Sequence, residues 1–135
     1  MTGHMIRIIA YSDFNKIFRI LVGEFGQIYY NLFNQNEVRK VGVILGEKYF
    51  LRTGSFAAIA ILLEEIGENK CQLDIISYAG GEGLLDLSYG SHPSYVQDVL
   101  RFLRRNNITY EKVMEINYMS SRKIPVDIQR KIASL

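Results

Sequence analysis

Tryptophan is absent from the sequence, cysteine occurs once, and proline and histidine occur twice each. A lone cysteine, Cys71, excludes a disulfide within the chain and cannot by itself build a thiolate metal cluster. With Leu73 and Ile75 beside it at alternating positions, it reads as a small apolar side chain of a strand rather than a reactive thiol. Charge of one sign is also lacking. Sixteen basic and 14 acidic residues leave a formal charge of +2, which creates no whole-protein field to draw in nucleic acid. No apolar run approaches the roughly 18 residues of a bilayer span. The longest, Phe56 to Leu63, suits a buried strand or helix. Ser12, Asp13, Asn15 and Lys16 interrupt the apolar stretch that a secretory signal would need, so the expectation is a soluble, cytoplasmic protein with no membrane partner. Residues 1–4 of MTGHM look like a vector-derived start. Setting His4 aside with them leaves His92 as the one informative histidine. Scarce proline and frequent isoleucine are compatible with a thermophilic source.

What the chain does have is 48% hydrophobic residues in 135, enough for one proper core and too little for two ordinary domains. Met5 to Tyr11 predicts a strand that stops at Ser12-Asp13, whose side chains suit a helix start. Phe14, Ile17, Phe18, Leu21, Val22, Phe25, Ile28, Tyr29 and Leu32 recur at helical spacing. Gly23 and Gly26 within that stripe are read as points of close approach between helix and sheet. From Val38 the period changes, and VRKVGVIL and KYFLR predict two strands joined by a tight turn at Gly46-Glu47. FAAIAILLEEI fits a helix capped by Ser55 or a strand with Ile59, Ile61 and Leu63 on one face. The hairpin turn GEN before the alternating strand KCQLDIISYA favours the strand. Ser94 with Gln97 has the capping-box pattern of a helix burying Val96, Val99, Leu100 and Leu103, with Arg101, Arg104 and Arg105 in its later turns, and Asn106-Asn107 closes it. ITYEKVMEINYM is left without assignment, and Ile124, Ile128 and Ile132 suggest a short terminal helix. The predicted fold is α+β: a single antiparallel sheet packed by helices mainly on one face, in the order β-α-β-β-β-β-β-α with a C-terminal helical extension. Residues 5–107 form the core domain. Residues 108–135 form an extension that packs on the core or on a second copy.

The densest chemistry lies in ISYAGGEGLLDLSYGSHPSYV, Ile76 to Val96. A phosphate cradle needs converging amides at a helix start and usually a lysine. Here Leu84 and Leu85 follow the glycines, no lysine is near and Glu82 would repel an anion. AGGEG is therefore read as a turn or bulge that lets LLDLSY return as another strand. Glu82, Asp86 and His92 are the candidate catalytic residues of the alternative, enzymatic reading, although nothing in their spacing positions a nucleophile. No cofactor motif or metal-ligand set is present. Tyr49, Tyr78 and Tyr89, with Arg39 and Arg52 in adjoining strands, form the candidate ligand or partner surface. Stacked bases are a further alternative for that surface, but the spacing matches no RNA-binding motif. The basic tail, with Arg122, Lys123, Arg130 and Lys131, is better placed to dock than to bind nucleic acid.

The stretch from Val38 to Arg105, and above all the ISYAGGEGLLDL turn, resembles small uncharacterised prokaryotic single-domain proteins grouped as a domain of unknown function. The layout also looks like a reduced helix-grip sheet, in which a helix lies across a curved antiparallel sheet. That resemblance implies a fold and no activity. The expected function is a non-enzymatic binding or assembly module that self-associates, with a protein or a small apolar ligand as a further partner.

Overall fold

The computed structural model describes residues 2–34, 36, 39–51, 54–79, 91–117 and 133–135. The chain forms β1 (Thr2–Tyr11), α1 (Phe14–Phe25), β2 (Tyr29–Phe33), β3 (Val41–Phe50), β4 (Ser55–Gly67), β5 (Lys70–Ala79), α2 (Ser91–Arg105) and β6 (Thr109–Asn117). The six strands make one antiparallel sheet in the order β2-β3-β4-β5-β1-β6. This is the antiparallel α+β architecture expected from the alternating patterns.

Both helices lie on the same face. α1 covers β3 and β4, and α2 covers β5, β4 and β1. Strand parity explains the arrangement, because alternate residues point to opposite sides of the sheet. Ile6, Ile8 and Ala10 of β1, Ile59, Ile61 and Leu63 of β4 and Cys71, Leu73 and Ile75 of β5 are buried together. They join Phe14, Ile17, Leu21 and Phe25 of α1 and Tyr95, Val96, Val99, Leu100 and Leu103 of α2 in one core. At about 25 cal/mol per Å² of apolar surface, each fully buried Ile or Leu contributes about 2 kcal/mol.

Asp13 caps α1 as its position implies, its carboxylate accepting from the Lys16 amide at 3.1 Å. The helix stops at Phe25, however, and does not follow the apolar stripe to Leu32. The Gly26 amide donates to the Val22 carbonyl. The Ile28 amide then donates to the Leu45 carbonyl, which turns the chain into β2. Nor is there a turn at Gly46-Glu47: β3 runs unbroken through both residues and pairs with β4 from Val41↔Glu64 to Phe50↔Ser55. A glycine is required there for a different reason, since a Cβ on Gly46 would lie 2.1 Å from the Phe25 carbonyl oxygen. The close approach thus falls on sheet glycines, Gly46 and Gly42. Gly23 is exposed with open space around it.

The strand reading of Phe56–Ile66 holds, and the hairpin into β5 turns through Asn69 at φ 49°. α2 begins at Ser91, so Ser94 lies within its first turn instead of capping it. Asn107, at φ 60°, closes the other end, where the Ile108 amide donates to the Leu103 carbonyl at 3.0 Å. Thr109–Asn117, expected within the C-terminal helical extension, is instead the sixth strand, paired with β1, so the segment set apart from residue 108 onward begins inside the core sheet. The AGGEG turn, the LLDLSY strand and the three-isoleucine tail lie outside the described residues.

Gly46→Ala is expected to lower stability in urea by about 2–3 kcal/mol, because a backbone carbonyl cannot move aside cheaply. Gly42→Ala is expected to cost less, since its new methyl would meet the Phe18 ring, which can rotate. Equal midpoints for Gly46→Ala and wild type would refute the contact.

Candidate functional site

Three places collect exposed or polar chemistry: the uncovered face of the sheet, a crevice beside α2, and a buried polar group at one end of β1.

The uncovered face, the one that no described helix covers, is formed by the other parity of the same strands. In an antiparallel sheet with one wet side this parity is normally polar. Here it carries Val41, Val43 and Leu45 of β3 and Ala58, Ala60 and Leu62 of β4, placed side by side by the register. Large side chains on this face remain open to solvent: Tyr29 45%, Phe33 45%, Tyr49 46%, Phe56 57%, Leu62 40% and Tyr78 44%. At its centre Arg7 and Asp74, paired across β1 and β5, close a bidentate bond with Nε–Oδ1 at 2.6 Å and Nη2–Oδ2 at 3.0 Å. That hydrogen bond raises the Arg7 pKa above its usual value against the opposing effect of partial burial.

Of the surface expected from sequence, Tyr49 and Tyr78 share this face. Tyr49 packs on Phe56 with ring centroids 4.9 Å apart, and Tyr78 pairs with Ala58, two residues along the strand from Phe56. The arginine is elsewhere: Arg39 is exposed before the start of β3, at the opposite end from Tyr49. The strand between them, from Val41 to Tyr49, is roughly 27 Å long at about 3.3 Å per residue. Lys48 projects to the helix side and joins Asp98 at 2.7 Å. Tyr89 and Arg52 lie outside the described residues, as do Glu82 and Asp86. The backbone at His92 is in the first turn of α2.

The crevice, of about 470 Å³, opens between the C-terminal end of α1, the free half of β3 and α2. Phe25, Tyr95 and Phe102 make its floor, with Phe25 edge-on to Phe102 at 5.5 Å and tilted against Tyr95 at 6.2 Å. Asp98 holds two cations at the rim, Lys48 through Oδ2 and Arg101 through Oδ1 at 3.1 Å. Glu24, Glu47 and Arg105 also line the opening. Tyr95 is 1% exposed, and its phenol is pushed up to about 12, by burial first and then by Asp98 and Glu47.

The third place was missed by setting His4 aside. His4 stands in β1 directly between Ser77 of β5 and Asn117 of β6, 7% exposed, with Nε2 3.0 Å from Glu115 Oε1. Ser77 is fully buried, and its Oγ has no hydrogen-bond partner among the described residues. The signal was present in the alternation of His4, Ile6, Ile8 and Ala10. Lys112 also reaches Glu115, at 3.0 Å. The hydrogen bond from Lys112 is the largest of the influences that hold the Glu115 carboxyl below its ordinary range, with His4 adding to it.

Among the described residues no group of three or more His, Cys, Asp or Glu side chains could hold a metal ion, and no helix is long and apolar enough to cross a membrane. No protein-family model matches the chain, and no curated protein is significantly similar to it.

Cys71 is buried, with its thiol pushed up to about 12, mainly by desolvation. Labelling with a thiol reagent at pH 8 is therefore expected to proceed at least about 100-fold faster in denaturant than in the native protein; comparable rates would make Cys71 an accessible nucleophile. Glu115 has a folded pKa below the unfolded value of about 4.3. Its contribution to stability is therefore present above that value and lost as pH falls through the lower folded one. Glu115→Gln is expected to flatten the acid limb of an unfolding-midpoint profile between about pH 5 and pH 3, and an unchanged slope would remove Glu115 from the acid response.

Proposed function

We propose that this protein is a non-enzymatic assembly module whose uncovered sheet face seats on the same face of a second copy. The observation that carries this reading is the parity itself: β2, β3, β4 and β5 present apolar and aromatic side chains on the side that no described helix covers. Isolated exposed hydrophobics need no explanation, but a contiguous set on one face does. Tyr29, Phe33, Tyr49, Phe56, Leu62 and Tyr78 include the residue types enriched at interface centres.

A second copy is the occupant favoured by area and charge. Six strands at about 4.8 Å spacing and about 3.3 Å rise per residue give a face on the order of 900 Å², near the roughly 800 Å² per partner of a standard interface. In a two-fold contact each surface meets itself, so uncompensated charge at the centre would meet like charge. Arg7 and Asp74 neutralise each other there within one chain. The tyrosines supply large contact area with a hydroxyl that tolerates water in the free state.

Sedimentation of the full chain at about 50 μM should give a dimer. Leu62→Lys, with Asp74 beside it in the sheet register, should fold with a thermal midpoint close to wild type and sediment as a monomer. Phe56→Ser, at the margin of the same face, should weaken the dimer at least about tenfold. A wild-type monomer at that concentration defeats the proposal, as does a Leu62→Lys protein that stays dimeric.

A further inference from the structure

The crevice beside α2 lies on the helix side, away from the uncovered sheet face, and its charges are arranged in a way that folding alone does not explain. Glu24 sits in the last turn of α1, the negative end of the helix dipole, and that turn contains no basic residue. A carboxylate at that end is unfavourable, because the dipole there favours cations. Across from it, α2 presents Arg101 and Arg105, one turn apart on the same side of the helix, where like charges repel.

These opposite charges do not meet. Asp98 engages Lys48 and one nitrogen of Arg101, leaving the remaining guanidinium donors of Arg101 available. Glu24 and Arg105 form no ion pair with any described residue. A space of about 470 Å³ with an aromatic floor separates the two walls, within the range of small-molecule sites. A molecule that fits must carry a cation at one end, an anion at the other and an apolar body between them.

We propose that this crevice binds a free α-amino acid with an apolar side chain. Its ammonium faces Glu24, its carboxylate accepts from Arg101 and Arg105, and its side chain lies against Phe25 and Phe102. Such a ligand relieves the carboxylate at the end of α1 and the arginine repulsion on α2 together, which an anion or a cation alone would not do.

Calorimetric titration of the full chain with L-phenylalanine and L-leucine tests the assignment. Saturable one-to-one binding with Kd below about 1 mM is expected. N-acetylphenylalanine, which lacks the ammonium, and phenylalaninamide, which lacks the carboxylate, should each bind at least about tenfold more weakly. Glu24→Gln and Arg105→Gln, both at exposed positions, should fold by circular dichroism and lose at least about fivefold in affinity for phenylalanine. Leu62→Lys, on the other face, should leave binding unchanged whatever its effect on oligomeric state. The absence of saturable heat with either amino acid up to about 10 mM would overturn the proposal. Blocked derivatives that bind as well as the parent, or an equal loss in Leu62→Lys, would overturn it too.

Discussion

The contact between the last turn of α1 and Gly46 is the constraint on which the rest of the molecule depends. With no side chain on Gly46, the Phe25 carbonyl comes down onto β3 to a position where a methyl group could not be accommodated. That depth places the Phe25 ring among Tyr95 and Phe102, so the two helices share one core and not two separate ones. It also ends the helix. From Gly26 the chain is already beside the edge of β3, and the Ile28 amide takes the Leu45 carbonyl to begin β2. The crevice is the complement of the same contact: where α1 stops, no described element continues along the free half of β3, and α2 provides the opposite wall.

From this anchoring follows a division of labour between the two faces of the sheet. The helix side takes the branched aliphatic residues of β1, β4 and β5 and seals them. The other side carries the alternate residues of the same strands, and no described helix covers it. Its central charges are closed by the Arg7–Asp74 pair, whose bidentate geometry joins β1 to β5. A half-buried pair of this kind adds little net stability, since desolvation offsets much of the attraction. Its effect on recognition is larger, because it leaves a nearly neutral centre that can face a copy of itself.

How much of this could be read from the residues depends on whether local pattern and tertiary contact agree. The alternating segments were legible because period two survives any partner, and Phe56–Ile66 became clear once its hairpin with β5 was recognised. The end of α1 was not legible. Ile28, Tyr29 and Leu32 continue the helical spacing, while the bonds that claim them for a strand come from Leu45 and its neighbours, far along the chain. Gly46-Glu47 imitated a turn because a glycine between apolar runs has the same local signature whether it bends the backbone or admits a helix. Ser94 imitated a cap for a related reason: a capping box is a pattern of two residues, and the turn that precedes it decides where the helix begins. Of the expected surface, the tyrosines on strands could be assigned to a face by parity. Arg39 could not, because it lies beyond the strand end, where alternation stops carrying information.

The two surfaces meet at β3, and this makes them independent. Consecutive residues of one strand point to opposite sides, so Leu45 belongs to the uncovered face, Gly46 to the helix contact and Lys48 to the rim of the crevice. A side chain changed on one parity is separated from the other side by the backbone ladder of β3 and β4, which ten registered pairs hold in place. Packed sheets of this kind do not deform continuously, so a local substitution on one face leaves the geometry of the other intact unless it breaks the ladder itself. The exception is Gly46, where a side chain would lift α1, move Phe25 and Glu24 together and alter the crevice without touching the uncovered face.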